Sequence, residues 1–186
     1  MKQMKQSRKT RYTQMVLQDS LIELMKKKPI AKITIKELCE SADINRTTFY
    51  AHYTDQYDLL RKMEDECLSF AQEAVSNLIR ETDQNEMMKI LEGIFQYFID
   101  NRNHIRILMS EQGDIDFQKQ LVTMIYQLCG ISPYSGKNTD MGTKEFYFIF
   151  VVSGSVGLIQ HWLKDDVMKS AKEMAEIIYS MAFLIR

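Results

Sequence analysis

The sequence is poor in the residues that interrupt helices. Its 186 residues include only 7 Gly and 2 Pro, at Pro29 and Pro133. Strands need frequent turns, and turns rely on these residue types, so their scarcity disfavours an all-β fold. No alternating run of apolar and polar residues is long enough to predict a strand. Leu, Ile, Met, Glu, Lys and Gln are plentiful, and these residues favour an all-α fold.

Cysteine is also scarce, and its spacing disfavours a disulfide framework. The three cysteines, Cys39, Cys67 and Cys129, are odd in number and far apart, which is typical of a cytoplasmic protein. Neither His104 nor His161 has a second His or Cys at metal-ligand spacing. We therefore expect no metal and no cofactor. The cysteines either sense oxidants or fill the core as small apolar side chains.

Motifs that would indicate an enzyme are missing from the sequence. It contains no Gly-rich phosphate loop, no G-x-S-x-G, no H-E-x-x-H and no C-x-x-C. Its carboxylates are spread over helical surfaces and suggest no paired acid and base. The longest apolar stretch, residues 146–159, is shorter than the roughly 20 residues that cross a bilayer. We interpret this stretch as a buried helix, and we expect no catalytic residues.

Charge is divided unevenly along the chain. The formal net charge is −1, but residues 1–53 carry eleven Lys and Arg against five Asp and Glu. The remaining residues carry thirteen against twenty. A basic segment attracts polyanions, whereas an acidic one repels them, so a nucleic-acid contact would belong to the N-terminal part. The alternative is a lysine-rich terminus that is merely solvated.

Apolar periodicity and capping residues predict helices along the whole chain. A first helix over residues 10–27 precedes a capping box, in which Thr34 stands three residues before Glu37 and begins a second helix. Asn45 caps a third helix that ends near Tyr53, and Asp55 caps a long fourth helix. Further helices are predicted at residues 86–101, 102–110, 114–129, 143–164 and 169–185, with a loop at 132–142.

The segment at residues 33–60 divides into two short helices and a tight turn. On the third helix Phe49 and Tyr53 stand four residues apart and point toward the core. A different face carries polar, aromatic and cationic side chains, including Arg46 and Tyr50. Such a face suits a recognition helix in the major groove, where Arg pairs with guanine and Tyr reaches phosphates. Backbone amides near Thr34 would add a phosphate contact.

Residues 10–60 resemble the DNA-binding head of the tetracycline-repressor (TetR) family of transcriptional regulators. The family pattern is a first helix, then T-x-x-x-[IL], then T-x-Y-x-[HY]-[FY]. The matching residues are Thr34, Ile35, Leu38, Ala42, Ile44, Thr48, Phe49, Tyr50, His52, Tyr53 and Leu59. The resemblance implies that the third helix contacts DNA. The expected DNA-binding residues are Thr34, Asn45, Arg46, Thr47, Thr48, Tyr50 and His52.

The sequence departs from the family pattern in two places. Asp43 occupies the turn, where the family usually has Gly, so it must adopt a left-handed conformation that Asp tolerates better than most residues. Asp55 and Gln56 stand where the family commonly has Lys. This second departure removes a positive charge from the start of the fourth helix, and we expect lower non-specific affinity for DNA.

The remaining residues resemble a C-terminal class of the same family, through residues 95–110, 113–121 and 146–166. This resemblance implies a homodimer in which the last two helices of each chain form a four-helix bundle. The composition of the helix at 146–163 predicts a dimer independently of the resemblance. This helix is apolar nearly all round and must be covered on more than one side. The predicted interface residues are Phe148, Val152, Gly154, Ser155 and Ile159.

The aromatic residues of this C-terminal part either line an apolar effector pocket or form ordinary core. The resemblance implies that a small molecule binds here. The candidate pocket residues are Phe95, Phe98, Tyr126, Phe150 and Trp162.

The sequence therefore predicts an all-α protein with a helix-turn-helix DNA-binding domain at 1–56 and a helical effector-binding and dimerisation domain at 57–186. Its expected function is that of a cytoplasmic transcriptional regulator, by resemblance a repressor. It would bind a palindromic DNA operator as a homodimer and be released by a small-molecule or protein effector, without involving a membrane. The alternative is a helical adaptor whose basic head binds an acidic protein or surface.

Overall fold

The computed structural model describes residues 8–128, 142–164 and 169–183, and no residue in these ranges lies in a β-strand. The α-helices of the described ranges are α1 (Arg8–Met25), α2 (Ile35–Ala42), α3 (Arg46–Tyr50), α4 (Gln56–Arg80), α5 (Gln84–Asp100), α6 (Arg102–Leu108), α7 (Ile115–Leu128), α8 (Gly142–Lys164) and α9 (Ala171–Phe183). The predicted all-α fold is confirmed. Cys129, Pro133 and most of the predicted loop lie outside the described residues.

Two compact units divide the chain. The first contains the described residues up to Cys67, and the second begins at Leu68. The boundary between them falls inside α4, which is a continuous helix of 25 residues. The domain boundary predicted after residue 56 marks the start of the fourth helix. The division into compact units follows packing instead, so the predicted boundary stays a prediction.

The N-terminal unit is built on the packing of α1 against α2 and of α2 against α3. Its core side chains with almost no exposed surface are Leu17, Leu21, Ile22, Met25, Ile33, Leu38, Phe49 and Leu59. After α1, a short 3-10 turn at Ile30–Lys32 follows Pro29. This turn was not predicted from the sequence. Pro29 lacks a backbone N–H and cannot continue the helix, so the chain changes direction here.

The C-terminal unit contains an extensive packing of α5 against α9, and α8 packs against α6 and α7. Tyr126 of α7 and Val152 of α8 form a buried cluster with partly buried aliphatic neighbours. Phe95, Leu108 and Leu163 are also fully buried. Burial of side chains of this size contributes about 1.5–3 kcal/mol each, so this unit has a substantial core of its own.

The C-terminal end of α6 is closed by glutamine side chains from two other helices. Gln118 Nε2 donates to the carbonyl oxygens of Leu108 at 3.2 Å and of Ser110 at 2.8 Å. Gln160 Nε2 donates to the Met109 carbonyl oxygen at 3.0 Å. These three bonds satisfy the carbonyl of Leu108, the last residue of α6, and those of the two residues that follow it.

Gly113→Ala is expected to destabilise the protein by roughly 1–3 kcal/mol. A Cβ atom at this position would lie 2.3 Å from the Leu108 carbonyl oxygen, and a backbone atom cannot easily move away. Gly93→Ala within α5 is the matched control, because nothing lies within 4 Å of its added Cβ. We expect this control to stabilise the protein by roughly 0.5–1 kcal/mol. Chemical denaturation measures both effects, and effects of the same sign would contradict the tight packing at Gly113.

Candidate nucleic-acid interface

Helix α2 begins with the predicted capping box. Thr34 Oγ1 accepts from the Glu37 amide at 3.2 Å, and Glu37 Oε2 accepts from the Thr34 amide at 3.0 Å. Lys28 Nζ donates to Glu37 Oε1 at 2.6 Å. This bond from Lys28, followed by those from Thr34, lowers the pKa of Glu37 to about 2. The capping box is therefore confirmed, and the Thr34 hydroxyl is already engaged in it.

The turn between α2 and α3 passes through Asp43, which has φ 52° and ψ 43°. Among the described residues, Asp43 is the only residue other than glycine with a positive φ. The Ile44 amide donates to the Cys39 carbonyl oxygen at 2.9 Å and closes the end of α2. The left-handed conformation predicted for Asp43 is confirmed. The turn forms without the usual glycine because Asp tolerates the left-handed region better than most residues.

Helix α3 is a short helix that is anchored from inside. Asn45 caps it, since its Oδ1 accepts from the Thr47 amide at 2.8 Å, as predicted. Phe49 is 0% exposed and Tyr53 is 3% exposed. The centroids of their rings lie 5.7 Å apart. Burial raises the pKa of Tyr53 to about 12, and a hydrogen bond with the Gln14 side chain opposes this shift. The inward direction predicted for both aromatic residues is confirmed.

The remaining side chains of α3 include most of the predicted DNA contacts. Arg46, Thr47 and Tyr50 are exposed, and Tyr50 keeps 58% of its surface. Their spacing places Arg46 and Tyr50 one helical turn apart on the same face. Thr48 is half-buried, and so is His52, which lies just beyond the helix. The result is an outward face that combines a cation, a hydroxyl and a phenol.

The start of α4 is held by a small polar network. Asp55 Oδ1 accepts from the Asp58 amide at 2.8 Å, which confirms the predicted cap. Asp58 Oδ2 accepts from the Thr54 amide at 3.0 Å and from Lys62 Nζ at 3.2 Å. The Thr54 bond, helped by Lys62, lowers the pKa of Asp58. Lys62 Nζ also donates to the His52 carbonyl oxygen at 2.8 Å.

Sequence reasoning did not identify Lys62. The four-residue spacing of Asp58 and Lys62 on one helix is a readable signal for an ion pair. The bond from Lys62 to the backbone of His52 has no sequence signal, because it depends on how α4 lies against the end of α3.

The two cysteines in the described residues are placed for packing. Cys39 and Cys67 are both buried. Burial raises the pKa of the Cys39 thiol and raises the pKa of Cys67 to about 11. A thiol that stays protonated reacts slowly with oxidants, which favours the core interpretation at these two positions. In the part of the chain that the structure describes, no three His, Cys, Asp or Glu side chains are grouped to hold a metal ion.

The predicted pocket residues are only partly brought together. Phe95 contacts both Phe98 and Trp162 edge-to-face, with centroids 6.0 Å and 5.4 Å apart. Tyr126 lies in the separate cluster between α7 and α8. Phe150 is 60% exposed and joins neither group. The structure thus shows an aromatic cluster of three of the five candidates, and whether a ligand enters it stays a prediction.

An open groove of ≈ 450 Å³ lies along α7. Its lining residues are Asp116, Lys119, Gln120, Thr123, Met124 and Gln127. They belong to a single helix and include none of the candidate pocket residues. This groove therefore does not support the predicted effector site.

Helix α8 is less buried than the sequence analysis suggested. In the apolar window within Phe146–Lys164, only 17% of the residues are buried inside the chain. The expectation of a buried helix is therefore wrong for the single chain, because α6, α7 and α9 cover only part of the α8 surface and leave aromatic side chains exposed. Length and composition alone would allow this helix to cross a membrane, which for a single helix is weak evidence.

The exposed surface of α8 is aromatic at its N-terminal end. Phe146 is 74% exposed, Phe150 60% and Phe148 38%. Of the predicted interface residues, Phe148 therefore faces outward, whereas Val152 is 8% exposed and packs against Tyr126 in the same chain. The other three predicted interface residues are half-buried: Gly154, Ser155 and Ile159.

A TetR family model described as "Transcriptional regulator C-terminal region" matches residues 85–183, which is more than half of the chain. The chain therefore belongs to the TetR family of transcriptional regulators, and the resemblance inferred from the sequence is confirmed. Members of this family bind DNA, typically as dimers, and are generally not enzymes.

Similar proteins agree with this assignment. The chain is 17% identical over 168 residues to the uncharacterized HTH-type transcriptional regulator YxbF of Bacillus subtilis (strain 168), covering 89% of this chain and 43% of that protein. It thus spans less than half of that relative's length. A TetR transcriptional regulator from Streptococcus agalactiae 2603V superposes with a TM-score of 0.57 at 18% identity, over 94% of this chain and 96% of that one. The dihydroxyacetone kinase operon activator DhaS superposes with a TM-score of 0.54 at 16% identity, over 92% and 94%.

The left-handed turn generates a stability prediction. Asp43→Val should lower the free energy of unfolding by roughly 1–2 kcal/mol, because a β-branched side chain is strained at positive φ. Asp43→Gly should preserve or slightly raise stability, since glycine has no Cβ to strain. Ser41→Val, on the exposed surface of α2, controls for a β-branched residue in ordinary helical geometry. Urea denaturation provides the comparison, and equal losses for Asp43→Val and Ser41→Val would show that the turn is not strained.

Proposed function

We propose that this chain is a regulator that binds a specific duplex DNA operator through α3. The observation that carries the proposal is the two-sided character of this helix. Phe49 is completely buried, while Arg46, Thr47 and Tyr50 are exposed on a basic part of the chain. A helix that is anchored from behind and presents a cation with hydrogen-bonding groups is suited to the major groove.

Each side chain on this surface has a proposed role. Arg46 reads a guanine edge by paired hydrogen bonds, and Thr47 and Thr48 offer a hydroxyl or a methyl group to bases. Tyr50 and His52 contact phosphates, which position the protein without reading sequence.

The two capping residues support this surface. The Asn45 and Thr34 side chains hold the starts of α3 and α2. We propose that they contribute to DNA binding mainly by fixing where α2 and α3 begin, which leaves the amides that the caps do not use to face the phosphates.

We further propose that the protein acts as a homodimer through the exposed face of α8. Phe146 and Phe150 stand four residues apart on one side of α8 and keep 74% and 60% of their surfaces exposed; neighbouring exposed aromatic side chains of this kind are typical of a contact surface. Nothing lies within 4 Å of a Cβ added at Gly154, so a helix of a second copy can approach there. Val152 belongs to the core of its own chain and is not part of the proposed contact, while the half-buried residues Gly154, Ser155 and Ile159 border it.

A dimer suits the proposed activity. Two heads related by a two-fold axis match a palindromic operator, with recognition helices about 34 Å apart or somewhat more.

We propose that the regulator represses transcription, and that it does so in the cytoplasm, where an operator is accessible. An effector bound near the cluster of Phe95, Phe98 and Trp162 would act through α4, the helix that continues from one unit into the other. Such coupling is typically worth about 1–3 kcal/mol.

Selection of random duplex DNA by the purified protein at ~150 mM salt tests the proposal, because charge attraction alone weakens under these conditions. Sequencing of the bound pool should reveal an enriched palindrome. A pool without enrichment would contradict operator binding and favour the adaptor alternative, in which the basic head binds an acidic protein.

Variants in α3 separate base reading from phosphate contact. Arg46→Ala should cost roughly 1–3 kcal/mol on the enriched duplex and relax the choice of base at one position. Tyr50→Ala should weaken binding to enriched and random duplexes by a similar factor, since phosphates are common to both. Fluorescence anisotropy with both duplexes measures these affinities. Equal losses of Arg46→Ala on the two duplexes would show that Arg46 does not read bases.

A variant in α8 tests the dimer surface. Phe150→Glu should raise the dimer dissociation constant at least about 30-fold, because it places a charge in an apolar contact. Ile115→Glu is the matched control, since Ile115 is 66% exposed on α7 and outside the proposed surface. Sedimentation equilibrium measures both. An unchanged dissociation constant for Phe150→Glu, or an equal change in the control, would place the dimer contact elsewhere.

A further inference from the structure

Lys62 occupies an unusual position beside the end of helix α3. Its Nζ atom donates to the His52 carbonyl oxygen at 2.8 Å and to Asp58 Oδ2 at 3.2 Å. The same atom lies 4.8 Å from the centroid of the Tyr53 ring. The side chain keeps 46% of its surface exposed. One cation thus contacts a backbone carbonyl, a carboxylate and an aromatic ring, all close to the end of the proposed recognition helix.

These contacts act where α3 has little support of its own. The helix comprises only five residues, Arg46–Tyr50, and the His52 carbonyl lies two residues beyond its end, where the chain turns toward α4 and a backbone acceptor needs a partner. A lysine near a helix C-terminus supplies such a donor and interacts favourably with the partial negative charge there. The contact with the Tyr53 ring adds a cation–π attraction. Lys62 therefore ties the segment that directly follows α3 to α4.

Asp58 directs Lys62 toward this position. Its Oδ2 atom accepts from both Lys62 Nζ and the Thr54 amide. Two residues of α4 thereby bind the segment between α3 and α4. Asp58 accepts from the Thr54 amide, and Lys62 donates to the His52 carbonyl oxygen. With both partners engaged, the ammonium group is compensated by a negative charge and is less suited to bind a phosphate.

We propose that Lys62 is a positioning residue for sequence recognition, which sets the direction of α3 on α4 without touching DNA. The proposal rests on the DNA-binding function proposed above. Base reading by Arg46 requires an accurate helix direction, because a bidentate bond to guanine tolerates little displacement. Phosphate contacts are more tolerant, since they depend mainly on charge. Loss of the Lys62 contacts should therefore reduce selectivity more than general affinity for DNA.

The test compares variants on the enriched duplex and on random duplex. Lys62→Met keeps the aliphatic chain but removes the donors and the charge, and Arg61→Met removes an equal charge from the neighbouring exposed position. We expect Lys62→Met to lose about tenfold in affinity for the enriched duplex, near the effect of one charge-assisted hydrogen bond. On random duplex it should match Arg61→Met, and its salt dependence should equal that of the wild type.

Two further variants separate positioning from folding. Lys62→Arg retains the charge and the donors and should keep selectivity within about threefold of the wild type. Asp58→Asn removes the carboxylate that directs Lys62 and should reduce selectivity in the same direction. All affinities are measured well below the melting temperature of each variant, so a loss of stability alone leaves the ratio of the two affinities unchanged.

Several results would overturn the proposal. Equal losses for Lys62→Met and Arg61→Met on both duplexes would show that only charge matters. If the slope of log affinity against log salt concentration fell by about one in Lys62→Met, this result would show a direct phosphate contact. Both results leave operator binding intact and reject only the role of Lys62. A wild-type protein without any sequence selectivity would instead reject the proposed function and the positioning role together.

Discussion

The burial of Phe49 is the interaction on which the proposed DNA-binding surface depends. A helix of five residues is not stable alone, because the first turn restrains several residues in return for few hydrogen bonds. Phe49, with no exposed surface, and Tyr53, almost fully buried, attach α3 to the core of the N-terminal unit. Burial of an aromatic side chain of this size contributes about 1.5–3 kcal/mol. The exposed residues of α3 take their positions from this anchor.

Polar side chains determine where the surrounding helices begin. Thr34 with Glu37, Asn45 and Asp55 each satisfy backbone amides at a helix start. Each cap is typically worth about 1 kcal/mol. Each cap also fixes the residue at which its helix begins. The apolar anchor and the caps together therefore specify which side chains of α3 reach outward.

Features determined by local sequence could be predicted well. The capping residues, the inward direction of Phe49 and the left-handed Asp43 depend on residues close in the chain, and the structure confirms them. The 3-10 turn at Ile30–Lys32 was missed because it has no strong sequence signal.

Features determined by packing between distant residues could not be predicted. The bond from Lys62 to the His52 carbonyl depends on the placement of α4 against α3. The separation of Tyr126 from Phe95 and the exposure of Phe150 depend on which side of α8 faces α7. Apolar periodicity could not show this for a helix that is apolar nearly all round.

In the proposed complex, α3 of each subunit enters the major groove of duplex DNA. Methylation interference with dimethyl sulfate tests it most directly, because the reagent modifies guanine N7, which lies in the major groove. We expect two short clusters of interfering guanines on one side of the bound duplex, centred about ten base pairs apart or somewhat more. Interference spread evenly along the duplex, or none at guanine N7, would contradict the placement of α3 in the major groove.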